Sequence, residues 1–379
     1  MVNFTVYNPV RLVFGNQIKD ELGPCLKKFG MNILLIYGKG SVKKYGYYNQ
    51  IMNVLTSGGF KVSEFSGIKP NPVIDDVRAA VKLGKEKKVD VVLALGGGSV
   101  IDSAKIISLG LQTEIDPWEF MTWRAHPEKA TPLVTILTLA ATGSEMNAAA
   151  VIQNHETGEK LGFVNELLFP KTSFLNPEFT LSVPKNYTAF GIVDLIAHSL
   201  ESYFGEGEPS ITDSFTFSII KDAMRWAPKL LNNLDNLEYR ANIMLDATLA
   251  LNGITSYGKK GGDWGVHAMG HELSLMFDTP HGASLSIAYP AWLKLHKKTC
   301  SDRISKLGDA LFDTSDVDET IEKLTAFFAS VGSPVKLSEI NVNGEQLSEI
   351  VAQYHRNKVS GMHHKLSKHD HQTLVTLMS

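Results

Sequence analysis

The feature that most constrains the fold is a rhythm that runs through the first half of the chain and then stops. Four short apolar runs rich in β-branched residues, Asn32 to Tyr37 (NILLIY), Gly59 to Phe65 (GFKVSEF), Val89 to Leu95 (VDVVLAL) and Pro132 to Thr138 (PLVTILT), alternate with amphipathic stretches such as KYGYYNQIMNVLTSG and VIDDVRAAVKLGKEKK. Strands that alternate with helices predict βαβ units and a mainly parallel sheet. VDVVLAL is almost wholly apolar, as suits a central strand covered on both faces. After Leu175 to Pro184 the pattern changes. Lys185 to Phe204, Ile211 to Leu230, Leu237 to Leu251, Gly262 to Met276 and Asp316 to Val331 all carry helical spacing, and no strand alternation returns. The expected organisation is an α/β domain over 1–184 followed by an all-helical domain over 185–379.

A chain of 379 residues is long enough for two cores. With 44% hydrophobic and 20% charged residues and a net charge of −3, it has the balance of a soluble globular protein without attraction to nucleic acid or anionic membrane. Cys25 and Cys300 are too few for a disulfide framework or a thiolate metal site. The N-terminal segment MVNFTVYNPVRLVFGN does not read as a signal peptide, and no apolar run is long enough for a membrane span. The expected location is the cytoplasm.

Two glycine turns follow strands. VDVVLAL runs into Gly96, Gly97, Gly98 and Ser99, and NILLIY into Gly38, Lys39, Gly40 and Ser41, each ahead of a helical stretch. Backbone N–H groups and the positive end of a helix dipole suit such turns to a phosphate or pyrophosphate, and glycine permits close approach. The alternative is a tight strand-to-helix turn without a ligand. Neither turn completes G-x-G-x-x-G, because Ile101 and Lys43 occupy the last position. The second turn offers amides, a hydroxyl and the cations Lys43 and Lys44, with no carboxylate expected nearby. That favours a ribose 2′-phosphate, hence NADP(H), over a free 2′-hydroxyl; solvated surface lysines are the other reading. A third segment, TLAATGSEMN (Thr138 to Asn147), brings small residues and hydroxyls to a loop that suits a cofactor.

In the second half, Asp194 and His198 stand four apart on one helix, as do His267 and His271, with His281 after a turn marked by Pro280 and Gly282. Asp194 lies among Ile192, Val193, Leu195 and Ile196, where a carboxylate needs a cation or several donors. Asp194, His198, His267 and His281 read together as a ligand set for Fe(II) or Zn(II). Taken singly, each histidine is as well explained as an interfacial residue. His363, His364, His369 and His371, within polar sequence, are expected in a solvated tail.

The segments GKGSVKKYG, GGGSVIDSAK, TLAATGSEMN, DLIAHSLESYF and LNGITSYGKKGGDWGVHAMGHELSLMFDTPHGASLSIAYPAWL resemble the iron-containing alcohol dehydrogenases, most closely their NADPH-dependent butanol dehydrogenase and aldehyde reductase branch. The likeness spans nearly the whole chain. It implies an N-terminal nucleotide-binding domain similar to that of dehydroquinate synthase, a helical C-terminal domain, and hydride transfer between NADP(H) and a primary alcohol or aldehyde. It assigns Asp194, His198, His267 and His281 to the metal, Fe2+ first and Zn2+ or another divalent ion next. His271 stands beside them as a candidate proton relay. Gly96, Gly97, Gly98, Ser99 and Asp102 match the pyrophosphate motif, Thr138 and Thr142 a cofactor loop, Lys160 the nicotinamide end, and Gly38, Gly40, Ser41 and Lys43 the NADPH-accepting turn. A homodimer is implied, with VRLVFG as an edge strand. Two departures are visible: Leu139 and Ala140 follow Thr138, and KLSKHDHQTLVTLMS lacks an acidic helix start. A glycerol or lactaldehyde dehydrogenase and a dehydroquinate synthase-like lyase are the competing activities on such a scaffold.

Overall fold

A computed structural model describes residues Met1–Ser379. In chain order its first part runs β1 (Arg11–Phe14), α1 (Ile18–Lys27), β2 (Asn32–Gly38), α2 (Ser41–Lys44), α3 (Tyr47–Ser57), β3 (Lys61–Ile68), α4 (Ile74–Glu86), β4 (Val91–Gly96), α5 (Gly98–Gly110), α6 (Pro117–Met121), β5 (Leu133–Leu137), β6 (Ala149–Asn154), β7 (Glu159–Val164) and β8 (Thr172–Leu175). Helices follow: α7 (Lys185–Tyr203), α8 (Ser210–Asn232), α9 (Leu237–Ala250), α10 (Gly265–Phe277), α11 (His281–His296), α12 (Ser301–Phe312), α13 (Val317–Ser330), α14 (Gln346–Arg356) and α15 (Lys368–Met378). The chain divides into two compact units: Tyr7–Val183 with Asp235–Met244, and Met1–Val6 with Pro184–Leu234 and Leu245–Ser379.

The α/β unit is built on a six-stranded sheet in the order β1-β8-β5-β4-β2-β3, every pair parallel. All six residues of β4 are buried, so its near-continuous apolar sequence reflects cover on both faces. Alternation divides the strands between two cores: Leu34, Ile36, Val92 and Ala94 pack on one side with α4 and α5, and Ile33, Leu35, Val91 and Leu93 on the other with α1 and α3. The chain passes from β2 outward to β3, then returns to the opposite side of β2 as β4. This reversal makes the β2/β4 boundary the topological switch point, where open α/β sheets form a crevice beyond their strand ends. Both glycine turns sit there, since Tyr37 pairs with Leu95 at the carboxyl ends of the adjacent strands.

The sequence reading did not include the antiparallel β6–β7 hairpin or the four-residue β8. Nor did it include α11, α12, α14 and α15. The supposed solvated tail is a helix. Ser367 and Asp370 form a reciprocal capping box at the start of α15, so an acid does stand at that helix start. His371 is 3% exposed, and its Nε2–H donates to the Val359 carbonyl at 2.7 Å. His363 and His364 are half-buried, their backbone amides held by Asp263 Oδ1 at 2.9 and 2.7 Å; only His369 is exposed. No helix is long and apolar enough to cross a membrane.

Candidate active site

In the helical unit, α7, α10 and the first residue of α11 bring Asp194, His267 and His281 together, with His198 beside Asp194. Asp194 and His198 lie one turn apart on α7, a helix buried along most of its length from Thr188 onward. From Asp194 Oδ1 the distances are 3.6 Å to His198 Nδ1, 3.9 Å to His267 Nε2 and 3.7 Å to His281 Nε2. Ligand atoms of Asp194, His267 and His281 all lie within 4.8 Å of one another. Such separations are too long for hydrogen bonds and close to the spacing of about 3.4 Å between donors around one tetrahedral ion with bonds of about 2.1 Å. The rings of His198 and His267 stack at 4.7 Å, and those of His267 and His281 approach to 5.2 Å. His198 Nδ1 is buried with no hydrogen-bond partner. Burial, then the neighbouring His267, holds the His198 imidazole well below its ordinary pKa, so it stays neutral, the form that ligates a metal. One carboxylate and three imidazoles fit a divalent transition metal. His271, one turn beyond His267, is half-buried, its ring 5.4 Å from His281 and 6.4 Å from His267.

Glu201 belongs to this group, and sequence reasoning missed it. It is 1% exposed and follows Asp194 and His198 on the same face of α7. Its Oε1 accepts from the backbone N–H of His267 and from His267 Nδ1, both at 2.9 Å, and its Oε2 from Trp264 N at 2.6 Å. Burial pushes its carboxyl up to about 8, against donors that favour the charged form. The available signal was the i, i+4, i+7 spacing of Asp194, His198 and Glu201 in an otherwise apolar helix. Trp264 precedes α10 in the left-handed region at φ 63°, its ring 5.2 Å from His267 and 6.3 Å from His198.

In the α/β unit, Gly97 precedes α5 and Gly98 opens it, so the first N–H groups of that helix stand at the end of β4. None of Gly96, Gly97 and Gly98 has a positive φ. Glycine is required here by crowding: a Cβ on Gly98 would lie 2.5 Å from Thr142 Oγ1, and one on Gly97 3.0 Å from Leu139 Cβ. Thr138 N donates to the Gly96 carbonyl at 3.0 Å, so the third segment is laid directly on the glycine turn. Asp102 serves this packing through both carboxylate oxygens, which accept from Ser144 Oγ at 2.5 Å and Val151 N at 2.9 Å. Its placement is that of a residue shaping the loop rather than gripping a phosphate. The buried Lys105 completes the clamp, donating to the Asn147 and Ala149 carbonyls and to Asn147 Oδ1. Lys160, 7% exposed, donates to Asn71 Oδ1 at 2.8 Å.

The Gly38–Ser41 turn requires a correction. Its surroundings hold a carboxylate: Glu64, from the neighbouring strand β3, accepts from Tyr37 and Tyr48 hydroxyls at 2.7 and 2.9 Å. Lys43 Nζ lies over both rings, 5.0 Å from Tyr37 and 4.6 Å from Tyr48. The hydrogen bond to Tyr37 raises its pKa, with the charge on Glu64 adding to the effect. Sequence proximity could not reveal this, because Glu64 arrives by strand pairing.

Residues 9–177 match the family described as iron-containing alcohol dehydrogenase, and residues 188–378 the C-terminal part of the Fe-containing alcohol dehydrogenase family. A probable NADH-dependent butanol dehydrogenase of Bacillus subtilis is 40% identical, covering 98% of each chain. The NADPH-dependent aldehyde reductase YqhD of Escherichia coli is 34% identical over 93% of this chain and 92% of its own. The crystal structure of NADH-dependent butanol dehydrogenase A from Thermotoga maritima superposes with a TM-score of 0.97 at 35% identity, covering 100% of this chain and 99% of that one.

Proposed function

This chain belongs to the iron-containing alcohol dehydrogenase family, and we propose that it interconverts primary alcohols and aldehydes by hydride transfer with NADP(H), holding Fe2+ or another divalent transition metal. The cluster of Asp194, His267 and His281, with His198 3.6 Å from Asp194, carries this reading. Relatives named as butanol dehydrogenases and an aldehyde reductase support the substrate class.

When bound, the cation supplies Lewis acidity toward a carbonyl or alcohol oxygen, and the reduced nicotinamide supplies the hydride. The remaining work falls to this chain's side chains. Asp194 and the three imidazoles hold the cation and, as one anion with three neutral donors, leave it net positive. Gly96 to Ser99 and the start of α5 orient a pyrophosphate through backbone amides. Thr138 and Thr142 present hydroxyls from the loop laid on that turn, and Lys160 adds a cation on β7. His271, next to the ligands and half-buried, relays a proton between the substrate oxygen and solvent.

NADP(H) is preferred because the Gly38–Ser41 turn offers amides, a hydroxyl, Lys43 and Lys44, and carries no acid of its own. NAD(H) is the second reading. It is favoured by Glu64, which engages Tyr37 and Tyr48 beneath Lys43, and by the NADH-dependent names of two relatives. The lyase alternative needs cations for a substrate phosphate, yet Lys259 is bound to Asp213 Oδ1 and the Ser202 carbonyl, and Lys260 is paired with Glu206. A homodimer is proposed through β1, which lies at the sheet edge; sedimentation of the purified protein tests it.

Protein purified anaerobically and loaded with Fe2+ or Zn2+ is assayed with aldehydes of increasing chain length and either dinucleotide. Rapid NADPH oxidation with short aliphatic aldehydes is expected. Activity confined to glycerol or lactaldehyde would replace the proposal with a polyol dehydrogenase. Metal-loaded protein inert toward every alcohol and aldehyde would remove it.

A further inference from the structure

We infer that Glu201 is a positioning residue that sets the tautomer of His267 and joins it to the start of α10, an inference that rests on reading the four-residue cluster as a metal centre. A neutral imidazole has one N–H and one lone pair. Both oxygens of Glu201 accept backbone N–H groups, Oε1 from His267 and Oε2 from Trp264, as the ionised carboxylate does; in that form Oε1 only accepts, so the proton of His267 resides on Nδ1, 2.9 Å away. The lone pair is therefore on Nε2, the atom 3.9 Å from Asp194 Oδ1. A carboxylate behind a ligating imidazole fixes its ring orientation and raises its basicity.

The same carboxylate organises the backbone. Trp264 and His267 both donate their amide N–H groups to it, so Glu201 takes up two of the donors that the start of α10 leaves without intrahelical partners. Trp264 occupies the left-handed region, which costs a bulky side chain free energy unless the surroundings enforce it. Its amide bond to Glu201 Oε2 supplies that constraint, and the constraint seats its indole against the His198 and His267 rings. Asp263 adds to the arrangement: its Oδ2 accepts from Gly265 N at 3.3 Å, and its Oδ1 from the amides of His363 and His364. A buried carboxylate thus fixes both the ligand atom that His267 offers and the approach of Trp264.

Two measurements test this. Nitrogen-15 NMR of histidine side chains in metal-free wild-type protein held above pH 8, where Glu201 is ionised, should show His267 protonated at Nδ1, assigned by its absence in His267→Gln; protonation at Nε2 overturns the proposal. This measurement needs neither bound metal nor a Glu201 variant. Next, Co2+ affinity is measured by chelator competition for wild type, E201Q and D194A, with circular dichroism confirming the fold. E201Q keeps one acceptor oxygen for three donors and should bind Co2+ about 10- to 100-fold more weakly with an altered ligand-field spectrum. Wild-type affinity and spectrum in E201Q overturn the proposal, provided D194A has lost binding. If D194A binds Co2+ as wild type does, the metal-centre reading itself fails, whereas the NMR result still decides the tautomer.

Discussion

Asp194 and His198 stand one helical turn apart on α7, with Nδ1 of the imidazole 3.6 Å from Oδ1 of the carboxylate. That separation places two donors of opposite chemical character around a common point without letting them satisfy each other. With His267 Nε2 and His281 Nε2 at 3.9 and 3.7 Å, removing the carboxylate takes away the one anion among the four side chains. Asp194→Ala and His267→Ala are expected to lose bound metal and reduce aldehyde turnover to background while leaving dinucleotide affinity nearly unchanged. Metal analysis, steady-state assay and dinucleotide titration check this, and wild-type turnover in either variant refutes the assignment.

Gly98 is expected to tolerate no side chain while Thr142 is present. A Cβ at Gly98 would meet Thr142 Oγ1 and Cγ2 at 2.5 Å. Gly98→Ala should cost about 1–3 kcal/mol by overpacking and weaken dinucleotide binding, because relief of the clash displaces the loop from the glycine turn. Adding Thr142→Ala should recover much of the lost stability, since the two changes share one contact. Denaturant unfolding of both variants and dinucleotide titration give the answer; a fully stable Gly98→Ala would show that the loop is free to move.

Lys43 and Glu64 give opposing forecasts for cofactor preference. Lys43→Met is expected to lower kcat/KM with NADPH about tenfold more than with NADH, through loss of a cation able to face the 2′-phosphate. Glu64→Gln should move the ratio the other way by releasing Lys43 from its carboxylate neighbour. If neither substitution changes the ratio, the 2′-position of the ribose is read elsewhere.

Stability should carry the signature of a buried acid on α9. Asp246 is 6% exposed, and burial, followed by repulsion from Asp222, pushes its carboxyl up to about 8. The folded state therefore holds this proton more tightly than the unfolded chain, whose carboxyl has a pKa near 3.9. Its contribution is fully present below about pH 4 and is lost as pH rises through about 8. Asp246→Asn should flatten that part of the profile, raising stability near pH 8 relative to wild type by an amount on the order of 1 kcal/mol or more. Thermal unfolding of both proteins between pH 5 and 9 measures the difference, and parallel curves would mean that Asp246 ionises freely in the folded state.

Much of the architecture was open to a reading of the chain alone, because it rests on local periodicity. β2, β4, β5, α7 and α10 formed where the apolar spacing placed them, and Asp194 and His198 shared a helix face because four residues make roughly one turn. The amino-acid order by itself determined which segments become strands or helices and which donors could point together. Only the tertiary structure decided what stands behind them. Glu201 became the partner of His267 because the segment leading into α10 folds back onto α7, with Asp263 N donating to the Glu201 carbonyl. Glu64 reached Tyr37, Tyr48 and Lys43 because β3 pairs with β2 in one particular register. Asp102 turned both oxygens to Ser144 and Val151 because the chain folds back across α5. His371 was buried because α15 docks by its apolar face. Periodicity reports a residue's own neighbours along the chain; hydrogen bonds between elements depend on distances that exist only once the chain has closed on itself.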